Sequence, residues 1–279
     1  MTVSVVIPTF NGKQWIGEQL DALANQEFTG EWELIVADNG STDGTRGVVE
    51  RWRDRFPMLR LLDSSSVRGQ SHARNRGALA ASGDHLLFTD DDDIVCSDWI
   101  ARMTEGLADA PMATGPVVHF VDGQTPSWGD IKEYSRRPSI GPFDCPTGCN
   151  LGIWRKLFLD LGGFDEGMTR SWEDVDLGIR ATLRGSTIGW VEHAVVLHRR
   201  PGSERALWDK EYSYGRGWTK LERRYPQISS KGWAGRALRR AGWVAVRTPY
   251  VASPTRRRAW IVRAAGLAGS MAERFRPSA

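Results

Sequence analysis

Short apolar runs rich in β-branched residues alternate with amphipathic stretches through the first half of the chain, and this alternation limits the possible folds more than any other feature. VSVVIP (residues 3 to 8) predicts a strand, and residues 15 to 24 predict the helix after it. ELIVAD (33 to 38) predicts a second strand, an Asn-Gly turn and STDG lead into a helix from about residue 45, and MLRLLD gives a third strand. A helix over 70 to 81 and the strand HLLFTD follow. Each strand is short and nearly all apolar, as expected where helices cover both faces, so the predicted architecture is α/β with a mostly parallel sheet.

In open parallel sheets, ligands bind beyond the carboxyl ends of the strands. PTFNG (8 to 12), DNGSTDGT (38 to 45) and DDDD (90 to 93) all fall at such ends, so they are expected to share one rim. Downstream, residues 97 to 107 read as a helix and 113 to 121 as a strand. Residues 122 to 150, rich in Gly and Pro, read as a long irregular segment of the kind that is usually functional. SWEDVDLGIRATLRG (171 to 185) reads as a helix with Ser171 as its N-cap, and TIGWVEHAVVLH as a returning strand. There is no internal repeat and no low-complexity segment.

The 279 residues contain no stretch of about 18 apolar residues, and MTVSVVIPTF enters a strand with no basic leader. The expectation is a cytoplasmic chain without signal peptide or membrane span. Three cysteines, Cys96, Cys145 and Cys149, are too few for a structural zinc site and read as reduced thiols. The net charge of +3 hides an asymmetry: residues 200 to 279 carry 18 Lys and Arg against 5 acids, and the first 199 carry 19 against 29. An acidic body suits a cation, and a basic, Trp-bearing tail suits a polyanion such as an anionic bilayer.

Four adjacent carboxylates after a buried strand repel one another unless a cation or water solvates them. Oxygen ligands favour Mg²⁺ or Mn²⁺, and in extended backbone residues i and i+2 share a face, which pairs Asp90 with Asp92. The plainer alternative is an acidic approach to the helix after Ser97. An EF-hand is excluded, since the required Gly and late Glu are missing. Asp91-x-Asp93-x-Val95 also fits the DxDx(T/V) pattern of haloacid-dehalogenase-type phosphatases, with Asp91 as nucleophile, although that pattern usually lies on a first strand.

VVIPTFNG, ADNGSTDGT, ARNRGALAASGDHLLFTDDDD and GGFDEGMTRSWEDVDLGIRATLRG, in this order, resemble the family-two inverting glycosyltransferases of the GT-A fold over residues 1 to 205. The resemblance implies a Rossmann-like catalytic domain over 1 to 205 and a basic helical region over 206 to 279. It implies a divalent metal (Mn²⁺ or Mg²⁺), a nucleoside diphosphate sugar donor, UDP above others, and a hydroxyl acceptor in glycan, glycolipid or cell-envelope synthesis. Pro8, Thr9 and Phe10 match positions lining the base, Phe10 with a stacking face. Asp38 matches an acceptor for a base imide or ribose, and Arg74, supported by Asn75, an arginine that reaches the nucleotide. Asp90 and Asp91 are expected at the nucleotide, with Asp90 also at the metal, Asp92 as metal ligand and His198 as a further one, His193 being its competitor. Asp174 matches the catalytic base that deprotonates the acceptor, with Glu173 as the fallback; as ordinary helix-start acids they would only complement the dipole, with Asp176 and Arg180 an i,i+4 pair. Gly148-Cys149-Asn150, ahead of a helix expected near Ile153, matches the acceptor and donor-sugar region, with the segment 122 to 147 ordering over the donor.

The tail sets Trp233, Trp243 and Trp260 among Arg236, Arg239, Arg240, Arg247 and Arg256 to Arg258. It suits an interfacial helix pair at an anionic membrane, or equally packing on the catalytic domain or on a second subunit as a homodimer. Nucleic acid fits poorly, because no binding module accompanies the charge. The non-enzymatic alternative is a nucleotide-sugar-binding or membrane-attached scaffold without turnover.

Overall fold

A computed structural model describes residues 2–56, 58–121, 123–131, 135–168, 171–200, 202–229 and 232–276. Parts of the segment 122 to 147, and residues 169–170 of the GGFDEGMTRSWED stretch, lie outside the described residues. The elements are β1 (Val3–Thr9), α1 (Ile16–Ala24), β2 (Trp32–Asp38), α2 (Thr45–Arg51), β3 (Leu59–Asp63), α3 (Gln70–Ala80), β4 (His85–Phe88), β5 (Ile94–Val95), α4 (Trp99–Asp109), β6 (Met112–Thr114) and β7 (Val117–Val121). They continue with β8 (Ser139–Ile140), β9 (Phe143–Asp144), β10 (Leu151–Trp154), α5 (Arg155–Asp160), α6 (Glu173–Leu183), β11 (Ile188–Trp190), β12 (Val196–Arg200), α7 (Glu204–Arg224), α8 (Trp233–Arg247) and α9 (Pro254–Arg274). The chain forms two compact units, one of residues 1–139, 143–166 and 173–200, the other of 140–142, 167–172 and 201–279.

The first unit is built on a seven-stranded sheet of order β11-β6-β10-β4-β1-β2-β3. All its pairings are parallel except those of β10, which runs antiparallel to both β4 and β6. Alternate residues of each central strand face opposite sides, and both sides are dry. Val5, Ile7, Leu34 and Leu87 meet Ile16, Leu20, Ile100 and Met103 on one face, while Val6, Ile35, Leu86 and Phe88 meet Ala78, Leu177 and Ala181 on the other. Each of the larger side chains contributes about 1.5–3 kcal/mol by leaving water. The carboxyl ends are in register, Thr9 opposite Asp38 and Asp38 opposite Asp63, so the polar loops after them emerge at one rim.

Three expected elements differ. Residues 113 to 121 form two strands, because Gly115-Pro116 breaks the run: β6 joins the large sheet, and β7 joins a second sheet of order β5-β12-β7. TIGWVEHAVVLH divides likewise into β11 and β12. Ile153 lies in β10, not in a helix; its neighbours on both sides are buried apolar strand residues, and helix α5 starts only at Arg155. The Ser171 hydroxyl donates to the Ser213 carbonyl at 2.9 Å. Asp176 and Arg180 form the expected i,i+4 pair at 2.8 Å, and the same guanidinium donates to the Leu161 and Gly163 carbonyls just after α5.

In the second unit α7 and α9 pack at backbone distance. A Cβ on Gly269 would collide with the Tyr212 carbonyl, so only glycine permits this approach. Thr219 and Ser270 join their hydroxyls across the contact at 2.8 Å, and the Trp233 indole N–H of α8 donates to Ser270 Oγ at 2.8 Å. Among the described residues no helix is long and apolar enough to cross a membrane.

Candidate active site

The rim is held together by buried amides and one buried arginine. Gln19, fully buried on α1, donates to Thr89 Oγ1 at 2.8 Å and accepts from the Val95 N–H at 3.2 Å, so it clamps both ends of the aspartate run. Between those ends the chain turns at Asp91 and Asp92 and does not continue as strand. The i, i+2 premise for pairing Asp90 with Asp92 therefore fails. The side chains that gather belong to Asp90, Asp93, Cys149 and His198, with one ligand atom from each all within 4.8 Å.

Strand register explains this grouping. β12 runs antiparallel to β5 with Leu197 opposite Ile94, which sets His198 beside Asp93, and His198 Nδ1 lies 2.8 Å from Asp93 Oδ1. Asp93 is fully buried, and its Oδ2 has no hydrogen-bond partner among the described residues. Asp92 lies outside the group; burial and then the Asp93 and Asp90 charges push its carboxyl up to about 7. Asp91 turns to β1, where its Oδ2 accepts from Thr9 Oγ1 at 2.5 Å, and burial pushes it up to about 8 despite that bond. Any Cβ on Gly12 would strike the same carboxylate, which accounts for glycine in PTFNG.

Arg74 is the central connector. It is 2% exposed, and its two terminal nitrogens reach Asp90 Oδ1 at 2.5 Å and Glu173 Oε1 at 2.9 Å. Burial opposes its charge, but Asp90 and Glu173 outweigh burial and hold its pKa above the ordinary value. Gln70 adds a bond to the same Asp90 oxygen at 2.9 Å. Asn75 sits one residue along α3, accepting from the Phe164 N–H and donating to its carbonyl, both at 2.9 Å; it fixes the segment leading to α6.

Glu173 and Asp174 open α6 with different surroundings. Glu173 is buried, and burial followed by the Asp174 charge pushes its carboxyl up to about 7. Asp174 is partly exposed; it accepts from the Gly148 N–H at 2.7 Å and the Val175 N–H at 2.8 Å, and burial raises its pKa in spite of them. Gly148 reaches this position because β10 is reversed: an antiparallel strand brings its beginning, not its end, to the carboxyl rim. Asn150 secures that entry, donating to the Pro116 and Ala194 carbonyls at 3.0 and 2.7 Å and accepting from Trp99 Nε1 at 2.9 Å. Cys149 beside it is buried, and burial keeps its thiol protonated.

At the first two strand ends, Asp38 is 1% exposed and already engaged, with the Ser41 N–H at 3.0 Å and Arg46 at 3.1 Å. Phe10 is 43% exposed, and the Arg68 guanidinium lies 4.6 Å above its ring. Pro8 and Thr9 end β1 directly below it. Asn11, in the left-handed region at φ 55°, ties the two loops by accepting from the Thr42 N–H at 2.8 Å. Sequence reasoning missed Gln19, Gln70, Arg46 and Arg68. A glutamine on the apolar face of α1 was the one available signal among them.

The glycosyltransferase YfnE of Bacillus subtilis (strain 168), itself uncharacterized, is 29% identical over 257 residues, covering 71% of this chain and 65% of its own length. The chain thus spans just under two thirds of that relative. Among solved structures, the mannosyltransferase PcManGT from Pyrobaculum calidifontis, in complex with GDP-Man and Mn²⁺, superposes with a TM-score of 0.67 at 20% identity, over 98% of this chain and 87% of that one. S. aureus TarS 1–349 in complex with UDP superposes at 0.58 and 17% identity, over 98% and 91%. Both likenesses bear out the mostly parallel α/β GT-A architecture. The model of Glycosyl transferase family 2 matches residues 4–159, more than half of the chain, and the chain belongs to that family.

Proposed function

We propose that the chain is an inverting glycosyltransferase that moves a sugar from a nucleoside diphosphate donor, most favourably UDP, to a hydroxyl acceptor in glycan, glycolipid or cell-envelope synthesis. The observation that carries this reading is Arg74, which joins Asp90 on the aspartate run to Glu173 beside Asp174 within one buried network. UDP is favoured by the TarS complexes with UDP and UDP-GlcNAc, and the GDP-Man complex of PcManGT is the competing precedent.

Asp174 is the base. It is partly exposed, it is held by two backbone N–H groups, and its raised pKa makes it a better proton acceptor than an ordinary carboxylate. The acceptor hydroxyl gives its proton to Asp174 as its oxygen bonds to the anomeric carbon, and the bond from that carbon to the diphosphate breaks on the opposite side. Phe10 and Arg68 stack the base, and Asp38 lies below as a hydrogen-bond partner. Asp90, Asp93 and His198 fit a divalent cation: two carboxylates and an imidazole suit Mn²⁺ or Mg²⁺, and the orphaned, buried Asp93 Oδ2 is a lone pair awaiting a partner. Such a cation would offset the charge of the diphosphate leaving group. Asp92, crowded by the same charges, is their neighbour and not the chosen ligand.

Asp174→Asn tests the assignment: transfer should fall by about 10²–10⁴-fold with donor binding retained. Full transfer by that variant would refute the base. A panel of nucleotide sugars with Mn²⁺, read by diphosphate release, would identify the donor. For the C-terminal helices, exposed Leu238 and Val246 on α8 beside Arg239 and Arg247 support attachment to an anionic bilayer, which vesicle co-sedimentation would show or refute.

A further inference from the structure

Helix α8 is built against the ordinary polarity of a helix packed on a protein. Its outward face carries Leu238 and Val246, 74% and 70% exposed, while half-buried Arg236 and exposed Arg240 lie on the face toward α9 and border a cavity. The cavity, of about 520 Å³, is open to solvent and bordered by α7, α8, α9 and Trp172. Indole groups of Trp172, Trp218 and Trp233 line it, and Arg263 of α9 joins the two arginines. Glu211 is the only acid among the lining residues.

Arginines directed into an aromatic cavity repel one another unless an anion joins them. Arg236 is engaged by Glu222 and Ser229, and Arg263 stacks 3.9 Å over Trp243, so both are fixed in place. Arg240 makes no hydrogen bond or ion pair among the described residues, although its guanidinium lies at the cavity wall beside Gly266. Burial lowers the pKa of Arg236, and the neighbouring charges of Arg240 and Arg239 add to the effect. The aromatic geometry narrows the ligand. Trp172 meets Trp218 edge-on at 68° and Tyr214 at 55°, so these rings do not form the parallel pair that would sandwich a flat base, and they offer single faces suited to the C–H surface of a sugar or polyol. Trp172 holds a left-handed backbone, φ 67°, at which a bulky residue is strained, and its Nε1 donates to the Tyr214 carbonyl at 2.9 Å.

We propose that this cavity binds a phosphorylated sugar or polyol, with the phosphate held by Arg240 between Arg236 and Arg263 and the carbon skeleton against the indoles of Trp218 and Trp233. Guanidinium groups pair with phosphate oxygens through two parallel N–H bonds, and the volume lies within the range of small-ligand sites. Its lining residues include none of those at the strand-end rim, and the proposal does not depend on the transfer reaction proposed above.

The test uses the full chain, with UDP and Mn²⁺ in excess to occupy any nucleotide site. Tryptophan fluorescence and calorimetry are followed on adding glucose 1-phosphate, glucose or inorganic phosphate. Glucose 1-phosphate should bind at least about tenfold more tightly than either half alone, and Arg240→Ala should weaken it by about tenfold or more. Because Arg240 is exposed, the variant should keep the urea midpoint of the native chain, which separates a lost contact from a lost fold. A parallel arm uses phosphatidylcholine vesicles with and without phosphatidylinositol. Binding that requires phosphatidylinositol and Arg240, without binding of free glucose 1-phosphate, supports the site with a lipid-borne phosphate. Equal affinity for inorganic phosphate, unchanged binding by Arg240→Ala, or no binding in either arm would overturn the proposal.

Discussion

Replacing Glu173 with glutamine should stabilise the protein, and the gain should depend on pH. Burial, with the Asp174 charge added, raises the Glu173 pKa from its ordinary 4.5 to about 7 although Arg74 attracts the ionised form. Between those two values the folded protein holds a proton that the unfolded chain has released. Ionisation of Glu173 therefore costs stability from pH 4.5 upward, and the cost is complete above about pH 7. A rise of that size corresponds to about 3 kcal/mol. Glutamine keeps the oxygen that accepts from Arg74 Nη1 at 2.9 Å and removes the charge. Urea unfolding near pH 8 should then find Glu173→Gln more stable by up to about 3 kcal/mol, and near pH 4 the two proteins should be equal. A variant that is less stable near pH 8 would refute the reasoning, since it would mean that the ion pair with Arg74 outweighs desolvation. The expected result would make Glu173 a carboxylate retained for its effect on the rim at a cost in stability.

Glu33 shows the opposite behaviour. It is 4% exposed, and bonds from Ser82 and Ser4 overcome burial and lower its pKa, so its contribution is present above the ordinary 4.5 and lost as pH falls through the lowered value. Glu33→Gln should cost about 2 kcal/mol near neutral pH and almost nothing in acid, read by urea midpoints across pH; a loss that does not vary with pH would count against it. Gly269→Val should lower the thermal midpoint, at about 3 kcal/mol, because α7 must move off the Tyr212 carbonyl; an unchanged midpoint would show that the helices separate freely. Phe10→Ala should weaken UDP binding by about 1–3 kcal/mol in calorimetry with Mn²⁺, and no change would remove Phe10 from the base site.

The central strands and the rim were legible because a strand buried on both faces writes itself as an uninterrupted apolar run, and the loops after it carry the polar residues. The errors lie where local pattern yields to pairing. Gly115-Pro116 divides a run between two sheets, and Ile153 has the same apolar neighbours whether it belongs to a helix or to a reversed strand. Asp174 and Arg74 stood out through their motifs. The grouping of Asp93 with Asp90 could not be read in this way, because it depends on a turn within the run and on a strand more than a hundred positions later, neither of which leaves a local trace.

The register that places Leu197 opposite Ile94 acts as a parity lock on the rim. Side chains on a strand alternate, so an insertion or deletion of one residue in β12 would turn His198 to the other face and bring Leu197 or Arg199 toward Asp93. Length changes that preserve the site must fall where pairing is not counted, as in the connection ahead of β12. Lineages descending from such a chain are free to remodel the long segment after β7, and they are held to a fixed count over the few residues that bring an imidazole to a buried carboxylate.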